Sequence, residues 1–597
     1  MRLLDLKFLL LEISVIDVIT NGDLGILKKD QQFVQIVNLL IGGSPKKKGL
    51  RKSETMQLMK NASEAKLRGG FYTPPLIAKF ILKWAVNGNK NYDVLEPSCG
   101  DGVFLEQIKE KGFEYKSITA IETDEDEVEK ARKIHLPKTN VINEDFLTYC
   151  NSTRSEFDLV IGNPPYIRYQ YFNKEQRAEA EKIFLRAGLK YSKLTNAWVS
   201  FIVGSCLLLK DKGKIGFVLP AELLQVSYAK QLRNYLTHFY NKINIVSFKK
   251  LVFPLIQQEV VLLLCERGNN GGHLIEHLEL KDASELENLD VTKLKSPKKK
   301  IDFKSNKWTF YFLSQKEIDF IEKLLNQKEI KPLSHYANAE VGITTGSNEF
   351  FTISKETAEQ FHLQNYTKRM VGRSVQVPSA IFTEQDWKEN TKTGVRAYFL
   401  KFPQIKELQK NKKAIEYIKA GEEKKLNRLY KCRIRDEWQI VPSTWVSEAL
   451  FIRRNNIYPK LVVNEANAYT TDTMHRVTIK KDTKLLSGNK VNMNALVASY
   501  YNSLSLAFAE ICGRSHGGGA LELMPNEVES ILLPYREENA ELLDKIDSMM
   551  RKGKNINEIL EFTDKKILKV GYGFSDEEIK LANNIWKKLL NRRLGRN

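Results

Sequence analysis

The stretch Asp158-Leu-Val-Ile-Gly-Asn-Pro-Pro-Tyr166 joins an apolar run to a rigid polar turn. Residues 159–161 are apolar and suit a parallel strand that is covered on both faces. The two prolines end the strand because each presets its φ angle and neither has an N–H group for the ladder. Polar groups after such a strand lie at the carboxyl edge of an open α/β sheet, where ligands bind. The stretch therefore predicts an open α/β sheet with a site at residues 163–166.

The turn offers hydrogen-bond acceptors that suit an aromatic amine. The adenine N6 group is a poor nucleophile, because its lone pair is delocalised into the ring. The Asn163 side-chain oxygen and the Pro164 carbonyl oxygen could bind both amine hydrogens and draw the nitrogen toward a tetrahedral, nucleophilic state. Pro165 stiffens the turn, and Tyr166 offers an aromatic face on which an extruded base can stack. An ordinary rigid turn is the competing interpretation, so the prediction depends on the rest of the chain.

Length and composition predict a multidomain globular protein with a polyanionic partner. The chain has 597 residues, 42% of them hydrophobic, which predicts two to four domains. Its 93 Lys and Arg exceed its 73 Asp and Glu, giving a formal charge of +20, which favours nucleic acid. The six cysteines form no CxxC pair, so we expect neither a zinc site nor disulfides. Free cysteines also indicate a protein of the reducing cytoplasm. No apolar run is long enough for a spanning helix, so we expect no membrane contact.

Upstream of the turn, the pattern alternates strands, loops and helices. A strand from Asp93 leads into the loop Glu96-Pro-Ser-Cys-Gly-Asp-Gly102, whose glycines suit a ligand that lies against the backbone. The next strand ends in Glu122, about 20 residues further on, where an acidic side chain is placed to bind ribose hydroxyls. A third strand ends before Asp145 and Phe146. The Asp145 carboxylate could accept a hydrogen bond from an adenine amine, and the Phe146 ring could pack on the adenine ring. The order within one βαβαβ unit is more specific than any single element.

These motifs resemble those of the gamma class of S-adenosylmethionine-dependent DNA adenine-N6 methyltransferases of restriction–modification systems. The resemblance covers residues 69–265 and implies the class I methyltransferase fold, a Rossmann-like doubly wound sheet. It further implies a C-terminal mixed α/β target-recognition domain, here with a helical tail. We expect S-adenosylmethionine as cofactor, no metal, double-stranded DNA as substrate, and a separate restriction endonuclease as a partner. We also expect a prokaryotic protein of the cytoplasm, associated with the nucleoid.

The resemblance also implies site residues. The catalytic residues would be those of the turn and a stacking phenylalanine before a later strand: Asn163, Pro164, Pro165, Tyr166 and Phe253. Packing in the core is the competing interpretation of Phe253. The cofactor would be bound by a Thr-Pro segment, the glycine loop, the acids and Asn163: Phe71, Tyr72, Thr73, Pro74, Glu96, Pro97, Ser98, Cys99, Gly100, Gly102, Glu122, Asp145, Phe146 and Asn163. Cys99 would be a packing residue, because this methyl transfer needs no covalent enzyme intermediate.

The remaining residues divide the chain into five parts. We expect an N-terminal extension with a basic linker at 1–66, the catalytic domain at 67–267, a linker with one helix near 314–326 at 268–330, the target-recognition domain at 331–539 and a helical segment at 540–597. The basic-aromatic stretch from Arg428 to Trp438 would contact phosphates. The final pairs Lys587-Lys588 and Arg592-Arg593 would contact the DNA backbone or aid solubility.

Two other functions stay open at this point. The same turn occurs in methyltransferases of RNA adenine and of protein glutamine, whose nitrogen poses the same chemical problem. Those proteins are usually compact, so the large downstream domain and the basic charge favour DNA. A non-catalytic DNA-binding subunit that keeps the fold is the third hypothesis, and the intact Asn163 and glycine loop argue against it.

Overall fold

The computed structural model describes residues 72–595, except residues 87–90, 168–170, 193–194, 254–258, 269–273, 291–298, 301–306, 482, 484–489 and 517–518. Arg68–Asn597 forms one compact unit. The predicted extension at 1–66 and Phe71 lie outside the described residues.

A nine-stranded sheet dominates the first half of the unit. Its strands, in sheet order β3-β2-β1-β4-β5-β7-β6-β8-β9, have these bounds: β1 Asp93–Glu96, β2 Ser117–Glu122, β3 Thr139–Asn143, β4 Phe157–Gly162, β5 Leu209–Pro220, β6 Lys242–Phe248, β7 Val260–Glu266, β8 Leu274–Leu280 and β9 Lys299–Lys300. The first five strands are parallel neighbours, and β7 enters antiparallel between β5 and β6. The doubly wound α/β prediction is confirmed.

Helices cover both faces of this sheet. The α-helices of this half are α1 Pro75–Val86, α2 Val103–Lys111, α3 Glu125–Arg132, α4 Phe146–Ser152, α5 Lys174–Arg186, α6 Ala197–Leu207, α7 Glu222–Gln225 and α8 Lys230–Phe239. Two separate apolar cores result, one on each face. On one face α1 packs close to β5, because a Cβ on Gly216 would lie only 2.6 Å from Ile81 Cγ2. The sheet is therefore buried on both sides, as the apolar run of β4 predicted.

An ion cluster joins the amino ends of β1 and β4. The Lys210 ammonium lies 2.8 Å from Asp93 Oδ2 and 2.9 Å from Asp158 Oδ2, and the Asp93 N–H donates to Asp158 Oδ2 at 2.9 Å. Burial alone would raise the pKa of Asp93, but hydrogen bonds from Lys210, Lys116 and Ser117 lower it. Asp158, the first residue of the turn motif, is thus a structural residue at the edge opposite the site.

The sheet continues beyond the predicted domain boundary. Residues 268–330 were predicted as a linker with one helix near 314–326. That helix is present as α9, Gln315–Asn326, but β8 pairs in parallel with β6 along its whole length, from Leu274 to Leu280. Glu276 and Glu279 interrupt the apolar pattern of β8 and hid this strand, although the adjacent residues Ile275 and Glu276, on opposite faces, are both buried.

The described strands of the second half form four smaller sheets. They have the strand orders β10-β22, β11-β19-β15-β17, β12-β14-β13-β18 and β16-β21-β20. The strands are β10 Lys331–Pro332, β11 Ala337–Val341, β12 Thr352–Ile353, β13 Thr367–Val371, β14 Tyr398–Leu400, β15 Ala449–Ile452, β16 Arg454–Asn455, β17 Leu461–Val463, β18 Tyr469–Thr470, β19 Met474–Ile479, β20 Arg514–His516, β21 Ala520–Glu522 and β22 Leu532–Leu533. The helices are α10 Leu333–Tyr336, α11 Asn348–Phe351, α12 Lys355–Gln360, α13 Glu384–Lys392, α14 Ile405–Leu408, α15 Lys412–Glu423, α16 Tyr430–Arg433, α17 Met493–Tyr500, α18 Ser503–Cys512, α19 Pro525–Glu529, α20 Leu543–Arg551, α21 Ile556–Thr563 and α22 Asp576–Leu594. This half is mixed α/β, as predicted.

The helices after residue 540 share the core of this half. Leu543, Leu560 and Trp586 belong to the same buried cluster as Phe451 of β15. The residues from Leu543 to Leu594 are largely helical and pack into this core, so they do not form an appended tail.

The last two arginines of α22 have structural partners, which corrects the prediction of DNA-backbone contacts or solubility for them. Arg593 is 2% exposed and pairs with Glu510 at 2.6 Å, and Arg592 pairs with Glu279 of β8. The Arg592 guanidinium also lies over the Phe312 ring. The pattern of charges misled the prediction, because a basic pair near a terminus has the same appearance in sequence whether it is solvated or buried. In the part of the chain that the structure describes, no helix has the length and apolar character needed to cross a bilayer.

Candidate active site

The candidate site lies at the carboxyl edge of β1, β2 and β4. Because these strands are parallel, the residues that follow them meet at one edge of the sheet. The glycine loop follows β1, Glu122 ends β2, and the Asn-Pro-Pro-Tyr turn follows β4. The structure therefore brings the three predicted motifs together.

The glycine loop is held against the end of β2. The Gly100 N–H donates to Glu122 Oε2 at 3.0 Å. Gly100 and Gly102 have φ angles of 53° and 95°, which favour glycine. A Cβ on Gly102 would lie 2.5 Å from Ile134 Cδ1, whereas a Cβ on Gly100 would meet nothing within 4 Å. Gly102 thus permits close packing of the loop, and Gly100 leaves open space beside the Glu122 carboxylate.

The loop has an acidic environment that suits a cationic cofactor. Glu96 is 1% exposed, and its Oε2 has no hydrogen-bond partner within the described residues. Burial raises the pKa of Glu96 well above its ordinary value, and the charges of Glu122 and Asp101 add to this effect. A positively charged ligand would satisfy this carboxyl group and reduce the repulsion. S-adenosylmethionine carries an ammonium and a sulfonium group, so the residues present fit this cofactor.

Pro97, Ser98 and Cys99 complete the loop. Pro97 is buried and packs near Gly162, because a Cβ placed on Gly162 would lie 3.5 Å from Pro97 Cδ. Burial, together with the charges of Glu96 and Glu122, raises the pKa of the Cys99 thiol. The thiol therefore stays protonated, which supports the prediction that it is a packing residue and not a nucleophile.

Glu122 is the residue whose change should affect cofactor binding most directly. We expect Glu122→Ala to raise the dissociation constant for S-adenosylmethionine about ten- to a hundredfold, because a hydrogen bond to a charged group contributes about 1.5–3 kcal/mol. Isothermal titration calorimetry would measure it. Glu125→Ala, an exposed residue of α3, is the matched control. A Glu122→Ala variant that binds the cofactor as tightly as this control would contradict the ribose contact.

Asp145 and Phe146 are both engaged within the protein. Asp145 Oδ1 caps α4 by accepting from the Leu147 N–H at 2.8 Å, and its Oδ2 accepts from Gln176 Nε2 at 3.0 Å. Phe146 is 1% exposed, and its ring centroid lies 4.9 Å from that of Phe201. The structure thus places Phe146 in the core, because the first turn of α4 faces α6. The contacts of Asp145 and Phe146 with the cofactor's adenine stay predictions.

The Thr-Pro segment precedes α1. Thr73 is buried, and the Pro74 carbonyl accepts from the Ile77 N–H at 2.9 Å, which starts the helix. Tyr72 is exposed, and its hydroxyl donates to Glu127 of α3 at 3.0 Å. This contact ties the segment to the helix that follows Glu122, and Glu127 was not predicted, since nothing in a sequence marks a partner 55 residues away.

The Asn-Pro-Pro-Tyr turn contacts the glycine loop directly. The Ser98 hydroxyl donates to the Asn163 carbonyl at 3.2 Å. The Tyr166 hydroxyl donates to Asn163 Oδ1 at 2.8 Å and lies 3.2 Å from the Val218 carbonyl of β5. Burial raises the pKa of Tyr166 well above its ordinary value, so this hydroxyl keeps its proton. The Asn163 amide oxygen is therefore oriented by a neighbour within the same motif, a role that the sequence analysis missed.

This orientation makes a separate prediction for Tyr166. We expect Tyr166→Phe to lower kcat about tenfold with little change in KM for the substrate, because the ring is kept while one hydrogen bond to Asn163 is removed. Tyr115→Phe, which removes a hydroxyl bonded to the Pro137 carbonyl at 2.8 Å, is the matched control. Steady-state kinetics would separate the two constants. An unchanged kcat would show that the hydroxyl does not position Asn163.

Pro164, Pro165 and Phe253 complete the predicted catalytic set. Pro164 is buried, Pro165 is half-buried, and no hydrogen bond to the Pro164 carbonyl is found within the described residues. Phe253 lies between β6 and β7, half-buried, and packs against the same core as Tyr166. Both rings are thus near the carboxyl edge, and stacking of a base between them stays a prediction. Among the residues that are described, no group of three or more His, Cys, Asp or Glu side chains could hold a metal ion.

The strand order and the site define the class of protein. Parallel strands in the order 3-2-1-4-5, followed by an antiparallel strand before β6, form the class I methyltransferase fold. Residues 56–253 match the family model of the Eco57I restriction-modification methylase. Residues 305–568 match the model of the C-terminal domain of Type II methyltransferase M.Eco57I. These matches support a methyltransferase of the restriction–modification type.

Two relatives by sequence carry names of this class. Type II methyltransferase M.AccI of Acinetobacter calcoaceticus is 26% identical over 478 residues, which cover 77% of this chain and 84% of the relative. Type II methyltransferase M.HincII of Haemophilus influenzae is 29% identical over 227 residues, which cover 38% of this chain and 42% of the relative. A solved nuclease-deletion mutant of the Type ISP restriction-modification enzyme LlaGI, in complex with a DNA substrate mimic, is similar with a TM-score of 0.46 and 12% identity, over 90% of this chain and 60% of that chain.

Proposed function

We propose that the protein is a site-specific DNA methyltransferase that transfers a methyl group from S-adenosylmethionine to N6 of adenine in double-stranded DNA. The observation that carries the proposal is the contact between the turn and the cofactor loop, in which the Ser98 hydroxyl binds the Asn163 carbonyl. Because of this contact, the hydrogen-bond acceptors of the turn lie beside the glycine loop, whose residues fit the cofactor.

The chemistry follows from the acceptors of the turn. S-adenosylmethionine supplies an electrophilic sulfonium methyl when bound. The Asn163 Oδ1 and the Pro164 carbonyl accept the two hydrogens of the amine and localise its lone pair, which makes the nitrogen nucleophilic. The Tyr166 hydroxyl keeps Asn163 Oδ1 in place, so no reorganisation is needed during the reaction. The amine releases one proton to water after transfer.

Access to N6 requires that the adenine leave the duplex. A base stacked in a double helix cannot reach a site at the edge of a sheet, so it is extruded and held by stacking. Tyr166 and Phe253 are the aromatic residues that we assign to its two faces. Both rings are partly buried and pack against the same core.

DNA as substrate rests on the relatives and on charge. The relatives are named Type II methyltransferases, and one is named a Type II restriction enzyme and methyltransferase, RM.Eco57I of Escherichia coli. The formal charge of +20 suits a polyanion. We infer that the protein is the modification part of a restriction–modification system, whose endonuclease recognises the same DNA sequence.

The test is methyl transfer from labelled S-adenosylmethionine to unmethylated genomic DNA, with digestion to nucleosides and mass detection. N6-methyladenine in the product would support the proposal, and sequencing of methylated sites would give the recognition sequence. Label in RNA or protein, with none in DNA, would overturn it in favour of the other two substrates.

A further inference from the structure

We propose that the segment Lys424–Arg435, termed the basic segment, docks the protein on duplex DNA. The inference rests on the proposed function for the identity of its partner. The sequence of the segment is Lys-Lys-Leu-Asn-Arg-Leu-Tyr-Lys-Cys-Arg-Ile-Arg, so six of its twelve residues are basic and none is acidic.

The base of the segment is anchored firmly. Cys432 is fully buried, and a Cβ on Gly346, whose φ is 87°, would lie 2.8 Å from Cys432 Sγ. The Arg435 guanidinium donates to the Thr345 carbonyl at 2.6 Å and to the Trp438 carbonyl at 3.1 Å. These contacts fix the segment on the loop at Thr345 and Gly346, which lies within the predicted target-recognition domain at 331–539. The backbone geometry of its outer side is therefore preset, which lowers the entropic cost of binding a partner.

The outer side of the segment is cationic. Lys424, Lys425, Arg428, Lys431 and Arg433 are all exposed. Among the salt bridges of the described residues, none includes these side chains. Four acids adjoin the segment, Glu422, Glu423, Asp436 and Glu437. Glu422 accepts from Trp438 Nε1 at 3.0 Å and Glu437 accepts from the Ile405 N–H at 2.7 Å, and neither forms a salt bridge with the exposed cations within the described residues. The six basic residues outnumber the four acids, and the resulting net positive charge attracts phosphates.

Apolar side chains lie among these cations. Leu429, Tyr430 and Ile434 are 42%, 62% and 60% exposed. Tyr430 is the first residue of α16 and Ile434 directly follows its last residue, so the two side chains are four positions apart and lie near one face. Lys431 Nζ and the Arg433 guanidinium carbon each lie 5.7 Å from the centroid of the Tyr430 ring. Exposure of three large apolar side chains on one element is unfavourable in water, so it indicates a contact surface.

Duplex DNA fits this combination better than a protein surface does. The cations can pair with phosphates on both sides of a groove, while Tyr430 and Ile434 pack against sugars and base edges. A protein partner would need an acidic surface with an apolar centre, and no feature of the segment favours such a surface over DNA. The segment thus supplies backbone contacts and groove packing at a place other than the catalytic edge.

The experiment compares salt dependence and affinity of DNA binding by the full chain. Lys431→Ala/Arg433→Ala should reduce the slope of log affinity against log salt by about 0.9 for each phosphate that the protein no longer neutralises. Tyr430→Ala should weaken affinity severalfold without changing this slope, because a neutral side chain releases no counterions. The control is Lys412→Ala/Lys419→Ala, which removes two exposed lysines of the neighbouring helix α15 and should leave both quantities unchanged.

The readouts distinguish this proposal from the proposed function. Binding is measured by fluorescence anisotropy with an unmethylated duplex, and methylation and cofactor affinity are measured in parallel. If the wild-type protein methylates DNA and the basic-segment variants bind DNA as the control does, the proposal for the basic segment alone would be overturned. Wild-type protein that binds DNA through the segment but transfers no methyl group would overturn the proposed function alone. Wild-type protein that binds no DNA would overturn both.

Discussion

Asn163→Ala should lower kcat for methyl transfer by at least about 10²–10³-fold, the loss typical when one preorganised hydrogen-bond partner of the reacting group is removed. The Asn163 side chain is the only side-chain acceptor that we assign to the amine, and the Tyr166 hydroxyl already holds its oxygen in position. Cofactor affinity should change by no more than a few fold, because the loop contact uses the Asn163 carbonyl and not its side chain. Single-turnover kinetics with equilibrium cofactor binding would measure both quantities.

Asn173→Ala is the matched control for this variant. Asn173 caps α5 by accepting from the Gln176 N–H at 2.7 Å, so its removal affects local stability, about 1 kcal/mol, and not the reaction. Turnover of Asn163→Ala at the level of this control would remove the turn from the mechanism. Loss of cofactor binding together with turnover would instead make Asn163 a structural residue of the loop.

Arg593→Met should destabilise the protein by about 3–5 kcal/mol, because it leaves the buried carboxylate of Glu510 without its partner. Arg593 donates to both oxygens of Glu510, at 2.6 and 3.2 Å, and to the Asn456 carbonyl at 2.6 Å. Both side chains of the pair are almost fully buried. A lower midpoint of thermal unfolding would report the destabilisation.

Two further variants give this prediction its controls. Lys587→Ala removes an exposed charge from the same helix and should leave the midpoint nearly unchanged. Arg593→Met combined with Glu510→Leu should recover much of the stability, since no uncompensated charge then remains buried. A single Arg593→Met variant as stable as Lys587→Ala would show that the pair contributes nothing.

The catalytic half was predictable because its signals are local. The strand before the Asn-Pro-Pro-Tyr turn, the glycine loop and the acidic end of β2 each lie within a few consecutive residues, and parallel strands bring such ends together without further information. The α/β fold and the joint location of the motifs followed from these residues alone. The orientation of Asn163 by Tyr166 depends on side-chain rotamers, which short motifs do not specify.

Contacts between distant residues could not be predicted. β8 was taken for part of a linker because its charged residues interrupt the apolar pattern, and pairing with β6 requires knowledge of the sheet. Arg592 and Arg593 were taken for surface residues because their carboxylate partners, Glu279 and Glu510, lie 313 and 83 positions earlier in the sequence. Phe146 was assigned to the cofactor, while its burial against Phe201 depends on how α4 meets α6.

The pairing of α22 with both halves has a consequence for biosynthesis. α22 is translated after every other described element, yet Trp586 is part of the second core and Arg592 pairs with a strand of the first sheet. The nascent chain can consolidate the first sheet early, because domains fold in the order in which they are synthesised. The second core stays incomplete until α22 has left the ribosome. Cotranslational proteolysis should therefore digest the second half until α22 has emerged from the ribosome, while the first half already resists the protease.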